Sequence, residues 1–190
     1  MGEYVYVDNS NLFIEARRVS AVQKGYAPDI WVAMQNRITD NDYSIDFGRL
    51  HEFIAGGNQA EIKRAVLFGS RPPPNDSIWT FATKAGFELV LVDRNVANQE
   101  KKVDTGMVTM IMRDAYKAGD PASTTITIVA GDSDFVPTVQ ALKEDGFAVD
   151  IVFWDHAARE LRDEATRFIS LNKHLKLLAY SKRQPPIKKR

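Results

Sequence analysis

The stretch that decides the fold is Thr125-Ile126-Thr127-Ile128-Val129-Ala130-Gly131-Asp132-Ser133-Asp134-Phe135, followed by Val136-Pro137. Six β-branched or apolar residues run into a glycine and two acids. A helical pattern then begins, carried by Val136, Val139, Gln140, Leu142 and Lys143, with Pro137 tolerated in the first turn. A strand of β-branched and apolar residues without charge, followed at once by a helix, reads as one unit of a parallel sheet covered on both faces.

The same unit recurs on either side. Tyr4-Val5-Tyr6-Val7 ends at Asp8, Ala65-Val66-Leu67-Phe68 at Gly69, Glu88 to Val92 at Asp93, and Val149 to Trp154 at Asp155. Helical spacing fills the intervals. Ile78, Phe81, Ala82 and Ala85 share one stripe, and Val103, Met107, Met110 and Ile111 another. Further helical patterns lie at Ile30–Arg37, Phe47–Ile54 and Leu161–Ala165. The expectation is a three-layer α/β/α fold around a central parallel sheet of about five strands. It forms a single domain over residues 1–180, with a helical insertion at about 17–45 and a basic, flexible tail at 181–190. Phe13, Trp31 and Trp79 could stack on bases, but each lies on a helical apolar stripe and is expected in the core.

Composition narrows the function. The chain has 190 residues, of which 25 are basic and 25 acidic, and it has no cysteine. A disulfide scaffold, a thiolate zinc site, an iron–sulfur cluster and a cysteine nucleophile are excluded. No apolar run reaches the roughly 18 residues of a membrane span, and the first residues do not resemble a signal peptide. The expected location is the cytoplasm. The neutral total is uneven along the chain. Lys182, Arg183, Lys188, Lys189 and Arg190 form a +5 tail, which leaves 20 basic against 25 acidic residues, a net −5, in the body.

In an open parallel sheet, ligands bind beyond the carboxyl ends of the strands, where the strand order reverses. Asp8, Asp132, Asp134 and Asp155 all follow strands, and Asp104 opens the helix after the third. Clustered carboxylates repel unless a cation intervenes. An all-oxygen set suits Mg²⁺ or Mn²⁺. The three histidines, His51, His156 and His174, are isolated in sequence, so a histidine zinc site has little support. A single strand-end Asp is often only a turn former or a helix cap. Asp93-Arg94-Asn95 reads as such a turn. In Asp132-Ser133-Asp134, Gly131 permits a tight turn, and only one of the two acids can be the cap. Lys102 and Arg71 are candidate phosphate contacts.

Other chemistries fit less well. A haloacid-dehalogenase-type phosphatase needs Asp-x-Asp after the first strand, where this chain has Asp8-Asn9-Ser10. The acid positions fit a receiver domain poorly. There is no Gly-x-Gly-x-x-Gly and no Gly-x-x-x-x-Gly-Lys. Ser133 lacks the second glycine of a nucleophile elbow.

Val7-Asp8-Asn9-Ser10-Asn11-Leu12-Phe13, Lys102-Val103-Asp104 and Ala130-Gly131-Asp132-Ser133-Asp134-Phe135 together resemble the NYN domain. That family is a branch of the PIN-like ribonuclease superfamily and includes the LabA-like proteins. The likeness spans roughly Glu3 to Leu171. It implies that the first and fourth strands are neighbours. It also implies Mg²⁺- or Mn²⁺-dependent endonucleolytic cleavage of RNA, with Asp8, Asp104, Asp132 and Asp134 as metal-binding and catalytic acids. Asn9, Asn11, Lys102 and Ser133 would then contact substrate. The implied partner is RNA, single-stranded or structured; no membrane is implied, and a homodimer is compatible with the sequence. The alternative is an RNA-binding or regulatory module of the same fold with little or no turnover. One departure stands out: the family commonly has an Ala-Asp pair two residues before a Phe, and Ala165-Thr166-Arg167-Phe168 puts Thr166 there.

Overall fold

A computed structural model describes residues 2–56, 61–71, 77–93, 100–118 and 120–181. The basic tail from Lys182 onward lies outside the described residues. The elements in chain order are β1 (Gly2–Asp8), α1 (Asn9–Gln23), α2 (Ile30–Gln35), α3 (Phe47–Ile54), β2 (Ile62–Arg71), α4 (Ser77–Lys84), β3 (Glu88–Asp93), α5 (Glu100–Ala118), β4 (Thr124–Val129), α6 (Val136–Glu144), β5 (Ala148–Phe153), α7 (Arg159–Glu164), β6 (Arg167–Ser170) and α8 (Leu175–Leu178).

The six strands form one sheet in the order β3-β2-β1-β4-β5-β6, and every pairing is parallel. The sixth strand, four residues long, is one more than the sequence suggests. It hides in the segment Arg167–Ser170, too short to show an alternating pattern.

Successive side chains of a strand point to opposite faces, so each strand feeds two cores. On one face Val5, Val7, Leu67, Val129 and Val152 meet Leu12 and Ala16 of α1, Leu50 of α3, Trp79 of α4 and Leu178 of α8. On the other, Tyr6, Phe68, Ile126, Ile128 and Ile151 meet Met107 and Ile111 of α5, Leu142 of α6 and Leu161 of α7. This is the three-layer arrangement that the continuously apolar strands imply.

Three sequence expectations change. Arg17 to Gln23 belong to α1, so the stretch read as an insertion begins inside that helix; α2 and α3 follow it before β2. Trp31 is 65% exposed on α2, because the buried side of this short helix is taken by Ala33. Phe13 is only half-buried and carries the Arg17 guanidinium 4.3 Å above its ring. Trp79 does lie in the core. Among the described residues no helix is long and apolar enough to cross a membrane.

A polar cluster ties the far side of the sheet to α5. The buried Tyr6 hydroxyl donates to Asp114 Oδ2 at 2.8 Å, and Arg64 donates to both Asp114 and Glu88. Burial first, then the Asp114 carboxylate, pushes the Tyr6 phenol well above its usual range. The bond therefore runs from a neutral hydroxyl to a carboxylate.

From the first residues of β1 and β6, side chains reach the middle of their neighbours: the Thr127 hydroxyl donates to Glu3 Oε1 at 2.7 Å, and Arg167 pairs with buried Asp150. Burial raises the Glu3 pKa above its ordinary 4.5; the Thr127 bond opposes the rise and nearby Asp150 adds to it. A carboxyl raised in the folded state destabilises above that pKa, and the penalty disappears as pH falls through it towards the unfolded value. Glu3→Gln keeps the acceptor and removes the charge. Its unfolding midpoint is expected to exceed the wild type's at pH 7, with the gap narrowing as pH falls towards about 4.5 and gone below it. Urea unfolding at a series of pH values checks this; a constant gap would refute the assignment.

Candidate active site

The strand order reverses between β1 and β4. From β1 the chain passes through α1 to β2 on one face; from β4 it passes through α6 to β5 on the other. The two strands run in unbroken register from Gly2↔Thr124 to Val7↔Val129. Asp8 is thus the last residue of β1, level with Ala130, and Asp132 lies two residues further along the neighbouring chain. Adjacent strands are about 4.8 Å apart, so both acids stand at one gap in the carboxyl edge.

Each acid has a local role. Asp8 is 8% exposed and caps α1, its Oδ1 accepting the Asn11 N–H at 3.1 Å. Asp132 is exposed and caps the 3₁₀ turn Ser133–Phe135, its Oδ1 accepting the Asp134 N–H at 3.2 Å. The Ser133 hydroxyl lies 3.5 Å from the same oxygen. Asp134 is exposed and sits in the first turn, while α6 itself has no side-chain cap. Asp132 is therefore the cap of the pair, and Asp134 has no capping duty. Asp104 does not open its helix as the sequence suggests. It lies in the second turn of α5, which begins at Glu100, beside Val103 of the second core. The Lys102, Arg71 and Asp93 side chains lie outside the described residues.

Asp8, Asp132 and Asp134 follow β1 and β4 at one carboxyl edge, Asp104 lies on α5, and the four form no closed cage among the described residues. Among the described residues, no three Asp, Glu or His side chains stand close enough to hold a metal ion together. The caps account for part of this. One oxygen each of Asp8 and Asp132 is turned towards its own helix, and like charges keep apart. In kind, the donors still fit a hard cation. They are all carboxylate oxygens, two of the acids are exposed, and Mg²⁺ characteristically takes one or two carboxylates and fills its shell with water and phosphate.

The substrate-contact candidates behave differently from one another. Asn11 is structural: its Oδ1 accepts the Gly131 N–H at 3.1 Å and so ties α1 to the end of β4. Asn9 is buried, and its Oδ1 has no hydrogen-bond partner among the described residues. Ser133 is exposed beside Asp132. Asp155 is exposed after β5, its N–H donating to Asn172 Oδ1 at 2.9 Å. Thr166 is at the opposite edge. Its hydroxyl accepts the Val149 N–H at 2.9 Å at the start of β5, about 13 Å of strand from the carboxyl end. Thr166 itself therefore does not stand at this rim.

Sequence reading overlooked Glu15 and His156. Glu15 is buried, and its Oε2 lies 2.8 Å from His156 Nε2. The two are 141 residues apart in sequence. The one available signal is an acid on the apolar face of α1, among Leu12, Ala16 and Val19; a buried charge requires a partner.

Gly131 is required by packing. It does not have a positive φ. A Cβ placed there would lie 2.2 Å from Cε1 of the Phe153 ring, which is itself buried. Gly131→Ala is expected to destabilise by about 1–3 kcal/mol through overpacking, and Phe153→Leu in the same chain to recover part of it. Urea unfolding of the single and double variants checks this. An unchanged single variant would show that the turn yields freely.

Comparison with known proteins follows the same lines. A protein of unknown function from Vibrio parahaemolyticus, known from its crystal structure, superposes with a TM-score of 0.64 at 16% identity, over 90% of this chain and 92% of that one. At that identity the likeness is one of fold. No curated protein matches the sequence. The family model of the NYN domain matches residues 4–172, from within β1 to the turn after β6, and so takes in Asp8, Asp104, Asp132 and Asp134. Its span covers both halves of the sheet and every element of the acidic edge, and the chain belongs to the NYN domain family.

Proposed function

We propose that this protein is a metal-dependent ribonuclease that hydrolyses RNA phosphodiester bonds internally. The observation that carries the reading is the β1–β4 adjacency at the reversal of strand order, in a chain of the NYN family. It sets Asp8 and the Asp132–Asp134 turn at one gap in the carboxyl edge, where open parallel sheets bind their ligands.

Asp8, Asp132 and Asp134 would hold Mg²⁺ or Mn²⁺, with Asp104 approaching from α5. When bound, such an ion supplies an acidified water and neutralises charge on a phosphate. The chain's own residues do the rest. Capping holds Asp8 and Asp132 in fixed directions, and Asn11 secures the peptide before Asp132. Asn9, Ser133 and Lys102 are proposed to contact the RNA, and Asn9 has an acceptor oxygen in want of a donor. The +5 tail, from Lys182 onward, would offset RNA phosphates next to a −5 body.

One observation favours the second reading, RNA binding without turnover: among the described residues, no three acids are gathered in advance. The two readings part on one variant. Asp132→Asn keeps the capping oxygen and removes the charge. It is expected to leave the unfolding midpoint near the wild type's and to reduce Mn²⁺-dependent cleavage of labelled single-stranded RNA by roughly 100-fold or more. Cleavage at the wild-type rate would overturn the assignment of Asp132. Binding of RNA by the wild type, with no metal-dependent product, would establish the second reading.

A further inference from the structure

We infer that Glu15 and His156 form a positioning pair that aims the Asp132 turn, an inference that rests on the proposed nuclease reading for its effect on rate but not for its geometry. Gly131, the residue before Asp132, has both peptide groups engaged. Its N–H donates to Asn11 Oδ1 on α1 at 3.1 Å, and its carbonyl accepts the Ala158 N–H at 2.9 Å from the turn after β5. The direction of Asp132 therefore depends on where α1 stands relative to that turn.

Two contacts set that distance. Trp154 Nε1 donates to the Leu12 carbonyl at 3.3 Å. One turn further along α1, Glu15 Oε2 meets His156 Nε2 at 2.8 Å. Asn11 and Glu15 are four residues apart, so they lie on the same side of the helix. His156 precedes Ala158 by two residues. The Glu15–His156 bond thus closes a ring: α1, Asn11, Gly131, Ala158, His156, Glu15 and back to α1.

The chemistry of the pair suits a fixed clasp. Both side chains are about nine-tenths buried. Arg18, on the same helix, engages the other oxygen of Glu15, and Phe153 packs its ring 6.3 Å from the imidazole. The carboxylate accepts on both oxygens, so the imidazole must donate through Nε2. A buried, doubly engaged carboxylate has little freedom to release the ring. Partners that orient metal ligands typically change activity 10- to 100-fold when lost; this pair acts on Asp132 through the two ties on Gly131.

The test compares His156→Gln, which keeps a donor where Nε2 stood, with His156→Phe, which keeps the ring and loses the donor. Amide hydrogen exchange at Gly131 to Asp134 is followed in each full-length protein, together with kcat and KM for Mn²⁺-dependent RNA cleavage. His156→Phe is expected to expose the Gly131 amide to faster exchange and to lower kcat roughly 10- to 100-fold, with KM within about twofold. His156→Gln is expected to restore both. Unchanged exchange and kcat in His156→Phe would overturn the inference. So would an equal loss in both variants that tracks a lowered unfolding midpoint, which would make the pair a stability contact alone. If the wild type itself does not cleave RNA, the nuclease reading fails, and the exchange arm alone decides the positioning role.

Discussion

The parallel ladder between β1 and β4 is the constraint on which the rest depends. Six residues pair without a bulge, from Gly2↔Thr124 to Val7↔Val129. On one side of this ladder the chain climbs outward through β2 and β3; on the other it climbs through β5 and β6. The helices that make these connections therefore lie on opposite faces, and at the carboxyl end of the ladder the two loops part. A register slip of one residue would invert every side chain of β1, sending Tyr6 away from Asp114 and Val7 away from Leu12.

The edge above the ladder is held by short-range capping and long-range ties acting together. Asp8 and Asp132 cap the segments that follow them, which gives each acid a direction. Asn11, Trp154 and Glu15 then bind α1 to the ends of β4 and β5. The close approach of Phe153 to Gly131 completes the packing beneath the turn and leaves no room for a side chain. The acids are exposed or at the mouth of the gap, but the peptides that carry them are not free to drift.

Much of this was legible in the residues. The alternation of continuously apolar runs with helical stripes gave both the layers and the parallel sheet, because a strand covered on both faces has no reason to be polar at every second position. Asp8 and Asp132 could be placed at strand ends because the apolar runs stop there. Other features were not legible. β6 has four residues, too few to show a period. Trp31 looks like a core residue in a stripe, but α2 is only six residues long and has room to bury little more than Ala33. Thr166 looked like a gap in the acidic set until the pairing of Val149 placed it at the other edge.

The sequence by itself determined the local matters: which of the longer segments are strands, which acids end them, which residues can cap, and that no thiol chemistry is available. Those depend on periodicity and on contacts a few residues apart. Tertiary structure alone decided which ends meet. Glu15 and His156 are each unremarkable in their own segments and become partners across 141 residues, because the fourth strand slots in beside the first and brings β5 with it. The spacing of the aspartates was likewise decided there. That Asp8, Asp132 and Asp134 follow strands is a fact of chain order, whereas the distances among them and to Asp104 depend on how α5, β1 and the turn after β4 pack, and no local pattern encodes that packing.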